Sequence, residues 1–167
     1  MALDVANSVI LRFDPSRSID RFNDPAQLDA FPKAAEEFSA ERSLFGTLAP
    51  VPKRNRAPFI SLREAIDGYF RACVNGIDTP TLLASLLEAT AAMLRRGESG
   101  SLGSEAAYSA LRLLSENEVK RIRVCGNCGW LFLDRSKNRS RVWCDMSVCG
   151  NRVKAARHYN AKKDRSQ

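Results

Sequence analysis

The sequence predicts a mainly α protein: a multi-helical body over residues 1–119, followed by a small four-cysteine module over 120–167 made of a β-hairpin and a basic C-terminal helix. Three observations carry that prediction. Apolar residues recur at helical spacing in several stretches of the first 119 residues, each flanked by capping or breaking residues. Four of the five cysteines, Cys125, Cys128, Cys144 and Cys149, fall in the last third as C-x2-C, a fifteen-residue gap and C-x4-C. Charge divides at the same place: residues 1–119 carry 13 basic and 16 acidic side chains, residues 120–167 carry 13 and 3.

Taken in order, Leu3, Val5, Ala6, Val9, Ile10 and Phe13 lie at mixed short spacing that leans to helix over strand. Asp24 is placed to cap a helix whose first residue is Pro25 and which reaches about Ala40, with Leu28, Phe31, Ala35 and Phe38 on one side. Pro32 predicts a break or kink within it. Residues 46–58 hold Pro50, Pro52 and Pro58 and read as a loop, where Lys53, Arg54 and Arg56 either meet solvent or contact an anion. Ser61 and Glu64 have capping-box spacing before an apolar face of Leu62, Ala65, Ile66, Tyr69, Phe70 and Cys73, which ends near Asn75-Gly76. Cys73 reads as a small buried hydrophobe. Asp78-Thr79-Pro80 opens the next helix, which buries Leu82, Leu83, Leu86, Leu87, Thr90, Ala91 and Leu94 and closes at Arg95-Arg96-Gly97. A Ser/Gly linker over 97–103 leads to a last long helix, Ser104 to about Arg121, with Ala107, Ala110, Leu111, Leu114 and Val119 inward. That helix runs almost directly into Cys125, so the module should hang rigidly from it. The longest apolar stretch, Leu82 to Leu94, is interrupted by Ser85, Glu88 and Thr90 and falls short of a membrane span. A soluble, cytoplasmic protein is expected.

In the module, two close cysteine pairs around a hairpin-sized insert can set four thiolates about one tetrahedral ion. Zinc suits an all-sulfur site, and four protein ligands make it structural. Two disulfides are the rival pairing, but no charged segment followed by an apolar one marks secretion. An iron–sulfur cluster also takes four thiolates, and the spacing favours zinc. Gly126, Gly129 and Gly150 each follow a ligand, where turns leave no room for a Cβ. Trp130 to Asp134 has strand chemistry, with Arg141 to Trp143 as its expected partner across a turn at 136–140. Trp130, Phe132 and Trp143 are expected to form an apolar cap beside the ion. Residues 152–163 read as a helix with Lys154, Arg157, His158, Lys162 and Arg165 on one face. Val153, Ala155, Ala156 and Tyr159 lie mostly opposite, suited to docking on the knot. His158 is the only histidine, and four thiolates leave it no required place on the ion.

These residues resemble the bacterial CGNR-type zinc-finger family, named for the tetrapeptide that stands here as Cys149-Gly150-Asn151-Arg152. Trp130-Leu-Phe132-Leu-Asp134-Arg-Ser136, Arg141-Val-Trp143-Cys144-Asp-Met146 and the basic tail fit the same pattern over 121–163. Many members have a longer gap between the first two cysteines, a difference of loop and not of ligand count. Leu3-Asp4-Val-Ala-Asn7-Ser8 is similar to the opening of the ABATE-type domain that usually precedes this finger and is described as a stress-induced transcription regulator. The resemblance implies DNA-linked transcriptional control.

The charge split points the same way, since a basic zinc module on a mildly acidic body is the footprint of a nucleic-acid-binding end. Arg139, Arg141, Arg152, Lys154, Arg157, Lys162 and Lys163 are the expected DNA contacts. Asn151 and Arg152 could equally cap the helix and offset thiolate charge. A homodimer and a small-molecule effector of the body are further expected partners. The alternative is a zinc scaffold whose basic face binds RNA or an acidic protein. An enzyme is not expected: one histidine, a closed thiolate site and no glycine-rich phosphate loop leave no acid–base or nucleophile set.

Overall fold

The computed structural model describes residues 1–77 and 80–164, so Asp78-Thr79 and Arg165 lie outside the described residues. The chain begins with a short helix α1 (Ala2–Ala6) and then pairs β1 (Val9–Ile10) antiparallel to β2 (Ile19–Asp20). The expected helical lean therefore holds only for the first turn. Two consecutive β-branched residues pair as a strand, and Leu11 at φ 51° turns the chain back. α2 (Pro25–Phe38) starts as predicted, with the Asp24 carboxylate accepting from the Ala26 amide at 2.9 Å. It runs through Pro32 without the predicted break. Leu28, Pro32 and Ala35 are all buried, and their packing on the body holds a turn that has lost one backbone hydrogen bond.

The loop before the central helix is shorter than predicted. A 3-10 turn (Lys53–Asn55) feeds α3 (Arg56–Val74), so the helix starts five residues before Ser61. Pro58 sits in the first turn, where an absent N–H costs nothing. Ser61 is thus inside the helix, donating to the Ala57 carbonyl, and Glu64 pairs with Arg12 and Arg63 and caps nothing. Arg56 is fixed on Asp29 at 2.6 Å, and Arg54 lies 3.6 Å from Glu98, so neither is a free anion contact. α3 ends as expected at Asn75, with Gly76 at φ 68°. Cys73 is half-buried, short of the full burial expected.

α4 (Pro80–Arg96) fully buries only Leu86, Thr90 and Met93, and Leu87 stays 44% exposed. α5 (Leu102–Leu113) starts two residues before Ser104, because the Ser101 hydroxyl accepts from the Ser104 amide and caps it. It ends at Leu113, not Arg121, and α6 (Glu116–Val119) is a separate turn. Leu111 is 39% exposed, against the inward place expected of it. The break at Leu114-Ser115 lets residues 122–124 extend as a strand.

α3 is the centre of the core. Phe59, Leu62, Ile66 and Phe70 are fully buried on it and meet α1, α4 and α5. At roughly 1.5–3 kcal/mol per buried large apolar side chain, this face is the main driving force for the body. Charge is buried beside it. Arg63, 3% exposed, forks onto the Asp20 carboxylate at 2.6 and 2.7 Å and stacks over Phe22, while Arg71 grips Asp67 one turn away. Ile122 and Leu131, which belong to the hairpin carrying the first two cysteines, lie in this same core.

Candidate metal centre

β3 (Ile122–Val124) pairs antiparallel with β4 (Leu131–Leu133), with Arg123 opposite Phe132. The predicted partner of β4, Arg141 to Trp143, is not a strand. The turn of this hairpin is the Cys125-Gly-Asn-Cys128-Gly129 knuckle itself. The Cys125 amide donates to the Trp130 carbonyl at 2.8 Å and the Gly129 amide to the Cys125 carbonyl at 2.9 Å. Gly129 has φ 73°, a conformation that favours glycine, and a Cβ there would also stand 2.6 Å from the ring of the exposed Phe13, which would have to shift. Arg141 to Trp143 instead crosses the knuckle, where the Val142 carbonyl accepts from the Gly126 amide at 3.1 Å. A Cβ on Gly126 would meet the Trp143 ring at 3.0 Å.

The second cysteine pair is set by two aspartates, Asp134 and Asp145, whose carboxylates tie nearby backbone amides. Asp134 is fully buried, and its carboxylate accepts from the Ser136 and Arg141 amides, both at 2.9 Å, closing the 135–140 loop. The Ser136 side chain and these amides outweigh burial and hold its carboxyl down at about 2. Asp145 accepts from the Ser147 hydroxyl and the Val148 amide, capping a π-helical turn (Met146–Gly150) that runs straight into α7 (Asn151–Asp164). An Asp-x-Ser spacing after each of these positions is the local signal available in sequence.

The four sulfurs converge. All lie within 4.8 Å of one another, with Cys128 to Cys144 at 3.7 Å and Cys144 to Cys149 at 3.6 Å. A zinc tetrahedron with Zn–S bonds of about 2.3 Å has S–S edges of about 3.8 Å, so the cluster has the size that ion demands. The five cysteines are all free thiols, which sets aside the disulfide pairing. Cys125 and Cys149 are buried and Cys128 and Cys144 half-buried, with Phe132 and Trp143 packed beside them. Trp130 is not in this cap and faces the seam with the body. Arg141 stacks on Phe132 and donates to the Cys144 carbonyl, so it braces the module from within.

The electrostatics suit a bound cation. Burial opposes ionising Cys125, but amides of Cys128, Cys144 and Asn127 outweigh it and bring the thiol down to about 7. Burial and the neighbouring sulfurs push Cys128 up to about 11 and Cys144 higher still. Four thiolates cannot share this space without a divalent ion, and one such ion inverts the balance for all of them.

The fold and the site together define a helical protein with a single structural zinc ion held by Cys125, Cys128, Cys144 and Cys149. Residues 121–162 match the family model described as CGNR zinc finger, so this C-terminal module belongs to that family. No curated protein matches the chain significantly.

The module is sewn into the body through its first half, not hung from the preceding helix. The Asn7 side chain donates to the Leu131 carbonyl at 2.8 Å and accepts from the Leu131 amide at 2.9 Å, reproducing a strand partner. Arg71 donates to the Gly129 carbonyl at 3.0 Å. α7 is the opposite case. Among its residues described for burial, 151–163, Val153 alone is half-buried, and Tyr159 is 69% exposed, so the expected docking of its apolar face on the knot does not occur. Two alanines, one valine and one tyrosine make no continuous stripe to bury. Asn151 and Arg152 are exposed on its first turn, and Asp145, not Asn151, caps the turn that leads into it. Lys154, Arg157, His158, Lys162 and Lys163 are likewise exposed. Arg139, in the left-handed region at φ 49°, lies on the exposed 137–140 loop.

Among the described residues, no helix is long and apolar enough to cross a membrane.

Proposed function

We propose that this protein binds DNA through its zinc module and acts as a transcription regulator. The observation that carries the reading is α7. It is exposed on nearly every side, and Arg152, Lys154, Arg157 and Lys163 on it have no carboxylate partner among the described residues. Several cations of the body are held differently: Arg12, Arg56, Arg63 and Arg71 are each fixed on an acid. A helix of fourteen residues is about 21 Å long. Alone it is marginal in water, so it gains from a partner that supplies negative charge along its length. The major groove of DNA, about 12 Å wide, accepts such a helix with its cations on flanking phosphates. If about five phosphates are neutralised, log affinity falls against log salt with a slope of about −4.5.

One module buries too little surface for high specificity, and a homodimer would supply a second half-site. Four protein thiolates fill the coordination of zinc and leave no open position, so the ion is read as a scaffold, and the reading gives the protein no enzymatic role. Cysteines kept for a metal suit a reducing compartment, and a cytoplasmic location is part of this reading.

A protein partner is the second reading, favoured by Val142, Met146, Val148 and Tyr159, which are 46–69% exposed on the module. Selection from a random DNA pool by the zinc-loaded chain at physiological salt separates the two. An enriched motif bound at least about 10³-fold above non-specific DNA supports a sequence-specific regulator. Absence of both a motif and salt-sensitive binding moves the assignment to the protein partner.

A further inference from the structure

Between the body and the module lies a cleft of about 650 Å³, within the range of sites for small organic ligands. Its floor is apolar: Leu3 from α1, Leu113 from α5, and Leu131 and Leu133 from β4. The polar groups around it are unequally committed. Glu41 already accepts from the Met1 amine and the Ser109 hydroxyl, Asp4 from the Ser39 hydroxyl, and Asp145 from Ser147 and Val148. Donors are left over. Arg135 has no partner among the described residues, and Arg112 reaches Glu41 through one nitrogen at 3.4 Å. Trp130 lines this cleft and a neighbouring one of about 200 Å³, and its indole N–H is buried with no acceptor. Such a group calls for an acceptor from outside the chain. Glu118 is the one lining carboxylate without a partner among the described residues, and Arg135 is the lining arginine without one.

We propose that this cleft binds a small amphipathic anion: an apolar, ring-sized body resting on Leu113 and Leu131, with a carboxylate or sulfonate head held by Arg135 and Arg112. The site draws its walls from both halves of the protein. Cys144 and Asp145 line it, and Asp145 caps the turn that launches α7, so a bound ligand bridges the body to the metal site. It would make the seam a control point that neither half holds alone.

The test uses the zinc-loaded full chain and two naphthalene probes of matched bulk, 8-anilinonaphthalene-1-sulfonate and the neutral N-phenyl-1-naphthylamine. The sulfonate is expected to bind at one per chain with quenching of tryptophan emission and a shift of the Trp130 indole proton resonance. Arg135 is exposed, so Arg135→Ala keeps the fold. It should weaken the sulfonate about tenfold or more, the worth of a charge-assisted contact, and leave the neutral probe unchanged. Arg135→Glu should abolish sulfonate binding. Non-saturable binding, equal affinity for the two probes, or a sulfonate affinity indifferent to both substitutions overturns the proposal. DNA plays no part in this readout, so its result stands apart from the fate of the DNA-binding reading.

Discussion

Asn7→Ala isolates the seam between body and module. In the native chain Asn7 satisfies both backbone groups of Leu131, a residue only 1% exposed, with bonds of 2.8 and 2.9 Å. Alanine removes both partners and supplies none. A buried backbone group left unpaired costs about 1–3 kcal/mol, which bounds the loss at roughly 2–6 kcal/mol. Water lowers that bound, because Asn7 is half-buried and lines both clefts, so the expected loss is about 2–4 kcal/mol. Urea unfolding in a fixed excess of zinc, followed by tryptophan emission and far-ultraviolet circular dichroism, measures it. With a slope near 2 kcal/mol/M the midpoint should fall by about 1–2 M. Zinc transfer to a chelator should quicken in parallel, since the knuckle loses its anchor while all four thiolates remain. A loss below about 0.5 kcal/mol with unchanged zinc release refutes the reasoning and makes the Asn7 contact dispensable.

Cys149→Ser should release zinc and melt α7, since structural zinc is worth about 10–16 kcal/mol of apparent binding; a variant that retains stoichiometric metal contradicts the four-thiolate site. Lys154→Glu with Arg157→Glu should leave helix content and zinc intact while removing two phosphate contacts, which changes the salt slope from about −4.5 to about −2.7; an unchanged slope places the contacts elsewhere. Asp20→Asn should cost about 3 kcal/mol at neutral pH by leaving the buried Arg63 short of its counter-ion. Burial opposes ionisation of Asp20, but Arg63 and the Phe22 amide hold its carboxyl below the ordinary value. A depressed carboxyl contributes stability above the unfolded-chain value and loses it as pH falls through the folded one. The gap between wild type and Asp20→Asn should therefore be full at pH 6–7 and narrow from about pH 4 downward, whereas a constant gap denies the ion pair its role.

What sequence could reveal divides along physical lines. The four ligands were legible because tetrahedral thiolate chemistry needs only residue type and spacing, and the Asp24-Pro25 helix start needed only local capping. Ser61 and Glu64 show where local rules fail. Their spacing is that of a capping box, but a proline in a first turn is as good a start signal, and the helix began earlier because Phe59 had a core to enter. β4 took Ile122 to Val124 as its partner, since a two-residue C-x2-C knuckle closes a hairpin by itself while the 135–140 loop is tied by Asp134. Asn7, Asp134 and Arg71 act across long separations or through backbone groups, and neither periodicity nor composition reports on those.

The ligands come from two structurally unlike halves, and that division explains what the ion is for. Cys125 and Cys128 sit on a knuckle whose strands lie in the main core and whose carbonyls at Gly129 and Leu131 are held by Arg71 and Asn7. This half is positioned by its own packing and hydrogen bonds to the body. Cys144 and Cys149 flank a turn whose own hydrogen bonds are local and which leads into a helix that touches little else. The second half has little apolar surface to fix it on the first: Trp143 packs on the Cys125, Phe132 and Cys149 cluster, and Arg141 stacks on Phe132. Zinc adds cohesion: its four bonds tie an exposed basic helix to a rigid frame where apolar packing is sparse. A helix held that way keeps its direction while most of its surface stays free, which is the combination the proposed DNA contact needs.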